Sequence, residues 1–189
     1  MKRVLLCLFA LLLTVVFTGC NINSVDLRED SEIESFINSY TSHKPDENYY
    51  KTHSMDYYNL YDINLDEAEI CNGDFGKEYY FVLTVSISGD TTAELTVSVD
   101  DNGNITAIES CISWGIISPL FKTSENICLY YTDILRGVTD LSEDEAWGYV
   151  ADVWNAANGM PVSKVDVEGI ADLLIMDNGD ELKYTVILN

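Results

Sequence analysis

The sequence predicts an α+β protein in which antiparallel β-meanders form a sheet and helices pack on one face of it. Runs of alternating apolar and polar residues, typical of half-buried strands, occupy the middle and the end of the chain. Asp-Asn-Gly turns at 101–103 and 177–179 join such runs as hairpins. Segments with helical spacing precede each group of strands, which gives the order helix, about four strands, two helices, then two or three strands.

The start of the chain has the features of a secretory signal peptide. Two basic residues at 2–3 precede an apolar run at 4–17, and small residues at 18–19 follow it. The apolar run is about fourteen residues long, below the roughly eighteen that a membrane-spanning helix requires. We therefore expect an exported chain whose leader is removed.

The segment Phe17-Thr18-Gly19-Cys20 resembles the lipobox of bacterial lipoprotein precursors, although Phe17 stands where that family usually has Leu. The resemblance implies cleavage before Cys20 and a diacylglycerol on its sulfur. Two acyl chains hold a protein stably at a bilayer, whereas one gives only reversible binding. We expect residues 1–19 to be a signal peptide, residues 20–30 a lipidated cysteine with an acidic tether, and the folded body to lie on the extracytoplasmic face of the cell membrane. The alternative is an ordinary secretory signal with an incidental cysteine.

The strongly acidic charge balance limits which classes of partner are expected. The chain has 32 Asp+Glu against 10 Lys+Arg, a net charge of −22. Nucleic acid is not an expected partner, because phosphate binding requires clustered Lys and Arg. The acidic surface could capture a basic partner or divalent cations, but solubility explains it more simply.

Length and hydrophobic content predict one folded domain. The chain has 189 residues, of which 47% are hydrophobic, and this content argues against general disorder. Residues 31–189 suit a single α+β domain with its own core. A division into two halves would fall at 115–120, where Pro119 ends the first group of strands.

The first half begins with a helix over 31–40, whose apolar residues recur at three- and four-residue steps. A helical turn is expected at 66–71. Alternation predicts strands at 57–65, 79–87, 93–99 and 105–114. The apolar parity changes within the last strand, which predicts a β-bulge near Ala107 because one extra residue reverses the faces.

The second half opens with two predicted helices. Ser124 caps a helix over 125–136 that Gly137 terminates. Ser142 and Glu145 form a capping box for the next helix. The tryptophans of that helix, Trp147 and Trp154, are expected as core residues. Strands are predicted at 162–167, 171–176 and 182–188, and residues 173–176 are apolar on both sides, as in a central or doubly covered strand.

The candidate binding residues form an aromatic cluster after the first helix. A glycan- or peptide-binding surface could be lined by Tyr49, Tyr50, Tyr57, Tyr58 and Tyr61. Tyrosine is also favoured in strands, so a position in the core or on a sheet face is the stronger interpretation. The two histidines, His43 and His53, lie in the same polar region, and their spacing matches no metal-ligand signature.

The turn at 101–103 also partly matches a calcium-binding loop. With Gly103 as its sixth position, Asp100, Asn102 and Glu109 fall at the third, fifth and twelfth places, but Ser98 stands where the pattern requires Asp. The flanking residues alternate as strands, so a simple hairpin without metal is preferred.

Three cysteines, Cys71, Cys111 and Cys128, remain after the leader. The sequence is consistent with two states. Either one disulfide forms, with three alternative pairings, or all three thiols are free. The spacing Cys-x-x-Cys does not occur, so neither a redox nor a zinc role is indicated.

The order of elements loosely resembles the cystatin-like and PepSY-like modules of exported bacterial proteins. The likeness is one of layout and transfers no functional residue. The sequence contains no catalytic or cofactor motif that identifies an enzyme. We therefore expect a binding or accessory module for an envelope protein, peptide or glycan. The alternative is a surface-anchored hydrolase that uses paired carboxylates with separated pKa values.

Overall fold

A computed structural model describes residues 31–44, 60–61, 63, 68–73, 76–85, 91–115, 117, 124–158 and 160–189. Within these residues the helices are α1 (Ser31–Ser42), α2 (Ser124–Val138) and α3 (Glu143–Ala157). The strands are β1 (Glu69–Gly73), β2 (Gly76–Val85), β3 (Thr91–Val99), β4 (Ile105–Ser113), β5 (Val162–Val167), β6 (Ala171–Asp177) and β7 (Glu181–Leu188). The predicted α+β class is confirmed.

All seven strands form one antiparallel sheet in the order β1-β2-β3-β4-β7-β6-β5. Two meanders, β1 to β4 and β5 to β7, meet where β4 pairs with β7, and in that pairing Ile108 lies opposite Val186. The segment 115–120 connects the two halves of the chain, but both halves contribute strands to the same sheet.

One face of this sheet carries the hydrophobic core. Alternate residues of the strands point to it, because side chains alternate between faces with a period of two. The row across the sheet is Tyr79, Val97, Ile108, Val186 and Leu173, all fully buried. The three helices lie on this face and contribute buried side chains to the same cluster. The other face carries no described helix.

Helix α1 forms where the sequence predicts it, and its apolar face is buried against the core. The buried residues are Ile33, Phe36, Ile37 and Tyr40. Acidic side chains, Glu32 and Glu34, stand in its first turn, where they interact favourably with the partial positive charge of the helix N-terminus.

Helix α2 continues one residue past Gly137, so the prediction that this glycine terminates the helix is wrong. A Cβ atom at position 137 would lie 2.7 Å from Cε2 of Phe36. The residue is glycine because α1 crosses α2 at this point, and a side chain would separate the two helices.

Helix α3 has the predicted capping box. The Ser142 hydroxyl accepts from the Glu145 amide, and the Glu145 carboxylate accepts from the Ser142 amide at 3.0 Å. Asn158 caps the C-terminal end of the helix. Trp147 and Trp154, expected in the core, are half-buried and pack against its margin.

The two Asp-Asn-Gly hairpins are confirmed. The Asp100 carboxylate accepts hydrogen bonds from the amides of Asn102 at 2.8 Å and Asn104 at 2.9 Å. Gly103 and Gly179 have φ of 85° and 89°, which is the left-handed region that glycine adopts without strain. The predicted bulge is also confirmed, since the register shifts between the pairs Ser98–Ala107 and Val99–Ile105, so that β4 has one residue more than β3 at this point.

Two predictions in the first half are wrong where the structure describes them. Leu60 and Tyr61 form a short 3₁₀ turn rather than part of a strand over 57–65. The helical turn expected at 66–71 is replaced by β1, which starts at Glu69 and pairs with β2. Pairing with an existing sheet edge gives this five-residue segment a strand conformation that its own propensity does not predict.

Candidate functional site

Tyr61 is a core residue and not part of an exposed binding surface. Its side chain is 2% exposed, and its ring stacks on that of Tyr40 with centroids 4.9 Å apart. Its hydroxyl donates to the Asp133 carboxylate of α2. The other members of the predicted aromatic cluster, Tyr49, Tyr50, Tyr57 and Tyr58, lie outside the described residues.

Among the described residues, Asp133 is the buried carboxylate. Burial raises its pKa to about 7, and the Tyr61 hydrogen bond and the Arg136 charge oppose that rise. The Arg136 guanidinium lies 3.6 Å from Asp133 and 3.5 Å from the exposed Glu143. Burial and the Arg136 charge also lower the pKa of His43. A paired-carboxylate mechanism requires two adjacent buried acids, and this part of the chain supplies one.

A groove of about 720 Å³ lies where the two halves of the chain meet. Helix α1 forms one wall, and the end of α2 and the loop at 139–141 form another. The turn between β5 and β6 and the adjoining ends of β4 and β7 complete it. The groove is therefore assembled from segments that lie far apart in the sequence.

The groove is lined by both apolar and acidic side chains. The apolar lining residues are Phe36, Ile105, Val138, Leu141, Ile170 and Leu188. The acidic lining residues are Glu32, Asp140 and Glu145, all of them exposed, whereas Arg136 is the basic residue of the lining. Such a surface favours a ligand that combines apolar and cationic groups.

The second concave region lies on the sheet face that the helices leave open. A cleft of about 310 Å³ has small buried residues, Ser98 and Ala107, at its base. Glu78, Glu109 and Lys183 form its charged walls, and Lys183 Nζ lies 2.6 Å from Glu109. In this ion pair between β4 and β7, the charges of Glu109 and Lys183 neutralise each other.

The structure does not bring the proposed calcium ligands together. Glu109 lies opposite Thr96 on β3, four residues from Asp100, which corresponds to about 13 Å along a strand. Glu109 is paired with Lys183, and Asp100 is occupied by hydrogen bonds within its own hairpin. In the described ranges no three His, Cys, Asp or Glu side chains are grouped so that they could hold a metal ion.

The three cysteines are free. Cys71 and Cys111 lie on the open face of the sheet, on β1 and β4, so three strand spacings of about 4.8 Å separate them. A disulfide requires Cα atoms within about 7 Å. Cys128 is buried in α2 on the opposite side of the sheet. Of the two alternatives left open by the sequence, the structure therefore has three free thiols.

Comparison with protein-family models, with curated proteins and with solved structures finds no match for this chain. None of the described helices combines the length and the apolar character that crossing a membrane requires. The groove was not predicted, because its lining comes from segments that local patterns do not connect. One lining residue, Gly137, stands out in the sequence, but its conformational freedom suggested a helix end. In the structure Gly137 instead allows two helices to come into close contact.

Proposed function

We propose that this chain is a membrane-anchored, extracytoplasmic lipoprotein whose α+β domain is a binding or accessory module for an envelope protein, peptide or glycan. The groove between the two halves carries the proposal. Its volume of about 720 Å³ falls within the range of ligand-binding clefts, and its lining combines apolar surface with acidic groups.

Among the three partner classes, a peptide segment of an envelope protein fits the groove best. The apolar lining residues can contact an apolar side chain of such a segment, while the exposed Glu32 and Asp140 can pair with flanking Lys or Arg. The net charge of −22 would attract a cationic partner over longer distances.

The lipobox-like segment ending at Cys20 supports placement at the outer surface of the cell membrane. An acidic body is repelled by anionic lipids, so a tether at its N-terminus would hold it away from the bilayer with the groove accessible. Mass spectrometry of the native product tests this placement. We expect an N-terminal Cys20 carrying diacylglycerol; an unmodified Cys20, or a retained leader, would contradict the anchor.

Site-specific photo-crosslinking in intact cells tests the binding role. A photoreactive residue at Ser35, in the wall of the groove, is expected to capture a discrete partner. The capture should decrease in the variant Glu32→Lys/Asp140→Lys, because that variant replaces two acidic side chains of the groove by basic ones.

The matched control carries Asp180→Lys/Glu181→Lys, which makes the same change in net charge at exposed positions away from the groove. We expect this control to retain the crosslink. An equal loss in both variants would show that the total charge, and not the groove, governs capture.

A further inference from the structure

Strand β5 forms one edge of the sheet. It pairs with β6 on one side, and no described strand pairs with its other side. An edge strand presents a row of backbone N–H and C=O groups that can bind a further strand. Proteins often protect such edges with bulges or charged side chains. Strand β5 carries two charged residues, Lys164 and Asp166, but its register with β6 runs without a shift from Val162 to Val167.

Exposed apolar side chains are concentrated at the same edge. Among the described residues the large hydrophobic side chains that are exposed are Val82, Met160, Val162 and Ile170. Three of these four lie in β5 or within three residues of its ends, with exposed fractions of 61% for Met160, 50% for Val162 and 44% for Ile170. Met160 and Val162 lie at the start of β5 and Ile170 lies beyond its end, so exposed apolar side chains flank this edge on both sides.

We propose that β5 binds β5 of a second copy of this chain, antiparallel and in a register centred on Val165. In this register Lys164 lies opposite Asp166 of the second copy, and Asp166 lies opposite Lys164 of the second copy. The two-fold axis therefore creates two identical cross-strand ion pairs. Beyond the strand ends, the same register brings Met160 towards Ile170 of the second copy.

The alternating faces of the sheet limit the choice of register. Lys164 and Asp166 both point to the open face, because the residues between and beside them face the core. If even-numbered residues of one β5 lie opposite even-numbered residues of the other, the core-facing sides of both strands coincide. The helices of both copies then lie on one side of the combined sheet. A register centred on Lys164 would place two lysines opposite each other, which is unfavourable. The register centred on Val165 avoids this repulsion.

The charges within one copy are consistent with this pairing. Asp166 lies directly opposite Asp172 on β6, and Lys164 Nζ contacts Asp172 at 2.6 Å. Lys164 remains more than half exposed. In the paired state this ammonium would lie between Asp172 of its own copy and Asp166 of the second copy, so that one cation offsets two carboxylates.

The net negative charge of each copy opposes association but does not decide it. Exposed charges farther apart than the Debye length, about 8 Å at physiological salt, are largely screened. The cross-strand pairs lie within that distance. Because a six-residue strand offers a small interface, we expect a weak, reversible dimer with a dissociation constant in the micromolar range.

Sedimentation equilibrium of the purified full-length chain in density-matched detergent tests the proposal. The wild-type protein is expected to dimerise without forming larger species. Asp166→Lys should weaken the dimer about tenfold, since both ion pairs become repulsive lysine pairs. If repulsion between the net charges of the two molecules governed association, Asp166→Lys would instead strengthen the dimer, because this substitution lowers the net negative charge.

Two further variants complete the test. Lys164→Asp/Asp166→Lys restores both ion pairs with the charges exchanged, and it should return the affinity to within a few-fold of wild type. Asp101→Lys, which changes the charge equally in an exposed turn, should not weaken the dimer. A chain that stays monomeric, that forms open-ended aggregates, or whose dimer is unchanged or tightened by Asp166→Lys would overturn the proposal.

Discussion

Tyr61 and Asp133 are joined by a buried hydrogen bond although 72 residues separate them in the chain. The bond links the short turn before the first meander to helix α2. Asp133 also faces Arg136 at 3.6 Å, and Arg136 in turn faces Glu143. The ionisable groups around this carboxylate are therefore a tyrosine, an arginine and a second, exposed acid, with His43 close to the same arginine.

This arrangement predicts a pH-dependent stability. Burial raises the pKa of Asp133 in the folded protein to about 7, above its ordinary value of 3.8. The folded state therefore holds a proton that the unfolded state releases, and this stabilisation is lost as the pH rises from about 4 through 7. A shift of this size corresponds to a loss of about 4 kcal/mol.

Asp133→Asn isolates this effect, because the amide is uncharged and its oxygen can still accept from Tyr61. We expect urea unfolding to show that the variant gains stability relative to wild type between pH 5 and pH 8. Other carboxylates titrate in both proteins, so the difference between the two is the informative quantity. A difference that is constant with pH would refute the assignment.

Within the described part of the chain, two buried tyrosine hydroxyls have no hydrogen-bond partner: those of Tyr131 and Tyr184, whose rings stack with centroids 4.2 Å apart. An unsatisfied buried hydroxyl costs about 1–3 kcal/mol. Replacing either residue by Phe removes that cost and keeps the stacking, so Tyr131→Phe and Tyr184→Phe should leave the free energy of unfolding unchanged or raise it by about 1 kcal/mol.

Tyr130→Phe is the matched control in the same cluster. The Tyr130 hydroxyl is bonded to the Ser110 hydroxyl at 3.0 Å, so its removal leaves a buried serine with a lost partner. We expect guanidinium unfolding to show a loss of about 1–2 kcal/mol. Equal losses in all three variants would mean that the hydroxyls of Tyr131 and Tyr184 are also satisfied.

Local chemistry was sufficient to predict much of this fold. The capping box of Ser142 and Glu145 defines the start of α3, because two side-chain bonds satisfy backbone amides that the helix leaves free. Asp100 and Gly103 define the first hairpin in the same local way. The change in apolar parity near Ala107 identified the bulge, since the faces of a strand alternate strictly.

The failures arise where a distant segment decides the outcome. Tyr61 is buried because Tyr40 and Asp133 surround it, and nothing in its own neighbourhood indicates this. Gly137 is required by Phe36, which is a hundred and one residues earlier in the chain. The groove depends on the same kind of long-range contact. A single sequence therefore predicts elements better than it predicts the site.

The cysteines give a prediction about redox conditions. Because the three thiols are free and too far apart to pair, reducing agents should leave the melting temperature unchanged. Burial raises the pKa of Cys111 to about 11 and that of Cys128 to about 12, so little reactive thiolate is present at neutral pH. Alkylation of Cys128 should occur only as the protein unfolds, as mass spectrometry of the labelled peptide can show. A melting temperature that falls on reduction would indicate a disulfide instead.

Two helical glycines are expected to respond to the same substitution in opposite directions. Glycine destabilises a helix interior by about 1 kcal/mol relative to alanine, so Gly→Ala normally stabilises. At Gly148 in α3 the added Cβ would meet no atom within 4 Å, and Gly148→Ala should gain about 0.5–1 kcal/mol. At Gly137 the Cβ would lie 2.7 Å from the Phe36 ring and 3.3 Å from Cβ of Tyr40. Two helices would have to move apart, so Gly137→Ala should lose about 1–3 kcal/mol. Thermal unfolding of both variants measures the contrast directly, and a stabilised Gly137→Ala protein would show that α1 does not pack closely on α2.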